Sequence, residues 1–156
     1  MIGLFGIEVD WWRGVQDLIT ITVAYMLAVP IGWHRLRAER GFGLRTYPLV
    51  AIASCTFLLI GEAKPGAAKA DPRLIQGLMT GIGFLGAGAI LKRGERVHGI
   101  ATAATIWSTA AMGAAVACHN YELGAILSAV TFVTLRWFPP PGSAGVETAG
   151  RSKQTG

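Results

Sequence analysis

A chain of 156 residues that is 52% hydrophobic and only 15% charged has too few polar side chains to cover a water-soluble domain, in which roughly a quarter of residues are charged. The formal charge of +5 would suit nucleic acid if the basic residues shared one folded face. They stand instead in short segments between apolar runs, which suits anionic lipid and excludes nucleic acid as a partner.

Residues 1–14 carry Glu8, Asp10, Trp11, Trp12 and Arg13. They lack the basic start of a signal peptide, so they read as an interfacial segment, with insertion left to the helices that follow. The first span is expected over Val15–Trp33, with Pro30 bending it near one end. A basic loop follows, containing His34, Arg35, Arg37, Arg40 and Arg45, in which His34 can titrate among positive neighbours. The second span is placed at Tyr47–Ile60.

The third span, Leu74–Leu91, begins behind Asp71 as N-cap and Pro72 at the first helical position. It holds Gly77, Thr80, Gly81, Gly83, Gly86 and Gly88, a composition that costs helix stability unless small residues are needed for close packing. Another backbone is therefore expected against Gly77, Gly81 and Gly86, and a leucine at Gly81 or Gly86 is expected to separate the helices at a cost of roughly 1 to 3 kcal/mol. The nucleotide-loop reading of these glycines fails, because no strand precedes them and no phosphate-loop lysine follows.

The fourth span, Thr102–Ala117, combines many alanines with Thr102, Thr105 and Thr109 on one face, and with Trp107. Each threonine can bond its own preceding carbonyl, or the line can form a polar seam against the glycines of the third span. The fifth span is Tyr121–Trp137, and residues 139–156 form a tail expected to be disordered. Trp12, Trp33, Tyr47, Tyr121 and Trp137 fall near span ends and read as headgroup anchors. Cys55 and Cys118 read as packing residues, and a disulfide would require Cys118 to meet the end of the helix carrying Cys55.

The fold class is therefore all-α, a polytopic transmembrane bundle of about five spans over residues 15–138. Ten of the 14 Lys and Arg residues flank one side, which places the N-terminus outside and the C-terminus in the cytoplasm. No Ser/His/Asp set, carboxylate pair or metal-ligand cluster is legible, so the chain reads as a non-enzyme without a cofactor, and any metal it handles is left open.

Several stretches together resemble the MgtC/SapB family of bacterial inner-membrane proteins. They are Gly43-Leu-Arg-Thr46 before Pro48-Leu-Val50, Arg73, Thr80-Gly-Ile-Gly-Phe-Leu-Gly-Ala-Gly88, and Gly99-Ile-Ala-Thr-Ala-Ala104 with Trp107. The resemblance implies a cytoplasmic-membrane protein of four or five helices, linked in some bacteria to growth in low magnesium and survival inside host cells. It also implies a regulator of other membrane machines, the ATP synthase among them. Two departures stand out. Gly32-Trp-His-Arg-Leu36 replaces the family's Gly-x-Glu-Arg-Glu, keeping Arg35 and losing both acids, and the soluble C-terminal domain of longer relatives is not expected after span five.

Two functions stay open: an interaction protein that modulates other membrane proteins through helices three and four, or a small transporter or channel for an ion such as Mg2+ or a polar solute. Lipids and other membrane proteins are the expected partners, and the small-residue faces are compatible with a homo-oligomer. Arg45, at the start of span two, is expected to reach carbonyls of a neighbouring helix. The topology is testable with reporter fusions: at Gly94 and at the chain's end both should read cytoplasmic, and an external reading at either would overturn the five-span order.

Overall fold

The computed structural model describes residues 10–38, 44–62, 71–93 and 96–138. The segments 1–14 and 139–156, named above as interfacial segment and tail, lie largely outside that range. Five helices form: α1 (Trp11–Ala38), α2 (Thr46–Glu62), α3 (Pro72–Ala89), α4 (Ile100–Ala117) and α5 (Tyr121–Trp137). All five expected spans are helices, and two of them, α1 through Arg35 and α4, are long and apolar enough to cross a membrane.

Local chemistry explains the helix ends. The Asp10 carboxylate accepts from the Trp12 and Arg13 N–H groups at 3.1 and 3.3 Å, so α1 starts earlier than its apolar run. Helix α1 also continues past Trp33 to Ala38, with Pro30 inside it. His34 and Arg35, expected in a loop, are helical. Asp71 caps α3 through the Arg73 N–H at 2.9 Å, with Pro72 behind it as expected. Helix α4 closes with His119 at φ 58°, the Asn120 N–H returning to the Ala115 carbonyl and the His119 N–H to that of Val116. This is the left-handed stop usually built on glycine. Asn120 then caps α5 through the Leu123 N–H.

The segment between α3 and α4, to which the sequence pattern assigned no element beyond Leu91, forms an antiparallel pair of β1 (Leu91–Arg93) and β2 (Arg96–His98), with Leu91 opposite His98 and Arg93 opposite Arg96. Gly99 follows at φ +90°, where a Cβ would overlap the Ala89 carbonyl oxygen. Only glycine lets the chain turn from β2 into α4 this close to the end of α3.

Helix α4 is the axis of the bundle and touches each of the other four helices. Its closest approach is to α2, where a Cβ on Gly113 would overlap the Ala51 carbonyl. One cluster of buried residues joins Ala28, Ile31, Tyr47, Ala51, Ile106 and Met112. A second, nearer the other end, joins Ala24, Cys55, Leu58, Val116 and Ala117, with the Cys118 side chain packed against it; the two cysteines are not joined in a disulfide. Two hydroxyl contacts tie α5 on: Ser128 donates to the Leu27 carbonyl of α1 at 2.7 Å, and Ser108 of α4 meets Thr131. Outward-facing side chains are apolar, Met26, Phe57, Ile126 and Val130 among them.

These contacts rank the glycines. Gly113→Ala forces its methyl into the Ala51 carbonyl and should lower stability in mild detergent by about 1 to 3 kcal/mol. Gly81→Ala, whose methyl meets no atom within 4 Å, should be neutral or stabilising by up to about 1 kcal/mol. Unfolding midpoints of the two variants check this, and equal losses would contradict the α2–α4 approach.

Candidate functional site

Three stretches singled out by sequence meet at one buried point. Arg35, in the last turns of α1, is only 2% exposed. Its Nε donates to the Tyr47 hydroxyl of α2 at 3.2 Å, and its Nη2 donates to the Thr102 hydroxyl of α4 at 2.9 Å. A guanidinium can serve both because its N–H donors project in a rigid fork. The clamp joins the first turns of α2 and α4 to the end of α1, and Gly32 lies nearby against the Leu44 backbone. Tyr47 is thus not a headgroup anchor: it is fully buried and spends its hydroxyl on Arg35. That role was missed because a tyrosine at a span end suits either use.

Arg45 behaves differently from its expectation. It is exposed in the turn before α2, and among the described residues its side chain makes no hydrogen bond or ion pair. The arginine that reaches a neighbouring helix is Arg35. His34 is partly buried, its ring edge-on to Phe132 of α5 at 5.8 Å and 77°.

Thr102, Thr105 and Thr109 are all buried. The Thr105 and Thr109 hydroxyls donate to the carbonyls four residues back, at 2.6 and 2.8 Å. They therefore cost the bundle no unpaired polar group, and Thr102 alone of the three accepts from Arg35. The line faces the bundle interior and is not a seam against the α3 glycines.

Helix α3 turns Ile82, Gly86 and Ala89 inward, and the Trp107 indole of α4 lies across Gly83 and Gly86, with Ala103 beside Gly86. Close packing is found at Gly86. At Gly77, Gly81 and Gly88 a Cβ would meet nothing within 4 Å, so the expected backbone partner is not found among the described residues. Thr80 is exposed and bonds its own Gln76 carbonyl. Gly77 and Gly81 border a groove of about 670 Å³ between α2 and α3, walled on the α2 side by Leu49, Ala53 and Phe57. Among the described residues, no group of three His, Cys, Asp or Glu side chains is placed to hold a metal ion.

The stretches that meet at Arg35 and along α3 are those that carry the family resemblance, and the MgtC family profile matches residues 21–142. The chain belongs to the MgtC family. It is 39% identical over 140 residues to SrpB of Synechococcus elongatus, covering 81% of this chain and 76% of SrpB. It is 36% identical over 132 residues to an Escherichia coli protein named "Putative magnesium transporter YhiD", covering 79% of this chain and 60% of that one. Protein MgtC of Brucella abortus is 42% identical over 90 residues, covering 58% of this chain and 37% of MgtC. The match thus spans under two thirds of YhiD and of MgtC. No solved structure matches the chain.

For this MgtC-family bundle the clamp gives a direct test. Arg35→Gln removes charge-assisted bonds to two buried hydroxyls and should cost about 3 kcal/mol or more. Arg35→Lys should not restore it, because an ammonium lacks the fork. Arg45→Gln, on an exposed turn, should change stability by less than about 0.5 kcal/mol. Denaturation of the three variants in detergent checks the order, and a Lys variant as stable as the original would remove the two-armed geometry.

Proposed function

We propose that the chain is a multi-pass protein of the bacterial cytoplasmic membrane, N-terminus outside and C-terminus inside. It acts without catalysis, binding other membrane proteins through α3 and α4 and thereby modulating membrane machinery in magnesium- or stress-linked physiology. The membrane placement is supported by the apolar exterior and by the family. The orientation is supported by the end of the bundle that gathers the end of α1, the starts of α2 and α4, and the basic hairpin, since Lys and Arg collect on the cytoplasmic side.

The observation that carries the reading is that α3 and α4 each expose a large aromatic side chain. Phe84 of α3 is 82% exposed, and Trp107 of α4, seated on Gly83 and Gly86, keeps 41% of its surface exposed. Ala104 and Ala111 flank Trp107 on the same exposed stripe of α4, low enough for another helix to approach. Rigid aromatic anchors ringed by small neighbours are the form that concentrates binding energy in interfaces.

The name carried by YhiD favours a second reading, a magnesium transporter. Against it stands Arg35, whose fixed positive charge in the bundle interior opposes the passage of a cation.

Phe84→Ala separates the two readings, because this ring is exposed and its loss leaves the fold intact. Copurification of membrane proteins from native membrane in mild detergent should fall about tenfold for the variant at matched expression. An unchanged set of copurifying proteins would sink the α3–α4 face. Mg2+ flux into proteoliposomes of the purified chain, above that of empty vesicles, would decide for transport.

A further inference from the structure

The groove between α2 and α3 lies on the flank of α3 away from Trp107, and its lining changes character along its length. Leu85 lies toward one end and Arg73 at the other, with Gly77 and Gly81 between them and Ala53 and Phe57 opposite. At one end the Leu74 side chain lies against Gly61, and Gly77 and Gly81, where a Cβ would meet no atom within 4 Å, leave the groove open along α3. Among the described residues, Arg73 is the one charged residue of the lining. Its guanidinium makes no hydrogen bond or ion pair among the described residues. The nearby Asp71 carboxylate is turned to the Arg73 backbone N–H at 2.9 Å as the helix cap.

An apolar trough ending in an uncommitted guanidinium is complementary to an amphiphile with an anionic head. Length decides between amphiphile and protein helix. From Arg73 to Leu85 there are twelve helical steps, about 18 Å at 1.5 Å each. The hydrocarbon depth of one leaflet is about 15 Å, whereas a crossing helix needs about 30 Å. We propose that this groove binds one acyl chain of an anionic phospholipid, with Arg73 holding its phosphate. The chain lies over Gly77 and Gly81, whose missing side chains give it depth, and the guanidinium meets the phosphate oxygens through paired N–H donors. A zwitterionic lipid offers the same phosphate beside its own ammonium, so it competes less well.

This inference rests on the membrane placement proposed above, but not on the α3–α4 contact. The full chain is reconstituted in nanodiscs of phosphatidylcholine with a minority of phosphatidylglycerol, and the lipids that stay with it on release are identified by native mass spectrometry. The original chain should retain phosphatidylglycerol over phosphatidylcholine by about fivefold, the effect of one basic residue on an anionic headgroup. Arg73→Gln should abolish that preference and Arg45→Gln should keep it. Gly81→Phe, whose Cβ meets no atom, fills the trough and should release the lipid. Gly77→Phe serves the same end should the first variant fold poorly.

Retention without headgroup preference would overturn the site, as would a lipid that survives both phenylalanine variants, or equal losses from Arg73→Gln and Arg45→Gln. A chain that retains a second copy of itself, and becomes monomeric with Gly81→Phe, would assign the groove to self-association instead. A chain that leaves cells in soluble form would remove the membrane placement and the lipid together, whereas failures confined to the Arg73 or Gly81 variants leave that placement standing.

Discussion

Helix α4 can touch four neighbours because it has almost no side-chain volume where they meet it. Ala103, Ala110, Gly113, Ala115 and Ala117 are buried along it, and at Gly113 the α2 backbone stands where a methyl group would be. Lipid competes well with any apolar side chain, so helices in a bilayer gain little from hydrophobicity alone. They associate through close van der Waals contact and cross-helix hydrogen bonds. The rest of the bundle follows that constraint. The Thr105 and Thr109 hydroxyls of α4 turn back on their own helix's carbonyls, so neither demands a partner from a neighbouring helix. Single hydroxyl contacts add bonds between helices, from Ser128 to Leu27 and between Ser108 and Thr131.

Arg35 is the exception inside this economy of polar groups. Desolvating a guanidinium costs several kcal/mol, and the cost is recovered only where its N–H groups find acceptors in good geometry. Tyr47 and Thr102 provide them on two different helices. A slip of α1 by one residue would turn Arg35 by about 100° and leave a charge without partners, so the residue acts on register more than on net stability. That explains why Arg35 can persist while both acids expected around it are replaced by His34 and Leu36.

The helices were legible because loss of charge and the N-cap of α3 are local signals, and the helix order followed from them. What escaped was whatever depends on the direction a helix faces. The glycines of α3 announce close packing, but the sequence does not say that Gly86 faces α4 while Gly77 and Gly81 face away. The inward set Ile82, Gly86 and Ala89, spaced by four and three, was a usable signal that the glycine count obscured. The hairpin was also readable: Gly94-Glu95 stands in the sequence between two short runs, Leu91–Arg93 and Arg96–His98, that pair in the structure. The burial of Tyr47 and Arg35 was not readable, since both residue types suit an interface equally well and only the meeting of three distant segments selects the buried use.

These contacts divide the molecule into two unequally bound parts. Helices α1, α2, α4 and α5 are interlocked by Arg35, by Gly113 and by the Ser128 bond. Helix α3 is joined to them along one side, through Ile82, Gly86 and Ala89, and at its ends, where Leu74 meets Gly61 and the Ala89 carbonyl meets Gly99. An element fixed at both ends and along one face presents its two remaining flanks without being able to leave. One flank lies under Trp107 of α4 at Gly83 and Gly86, and the other is a trough bordered by Gly77 and Gly81. Bulk on α3 at either glycine would close the trough without straining the interlocked four. The concentration of glycine in this helix therefore exceeds what its own packing requires at Gly86, and the excess lies on the side that the other described residues leave uncovered.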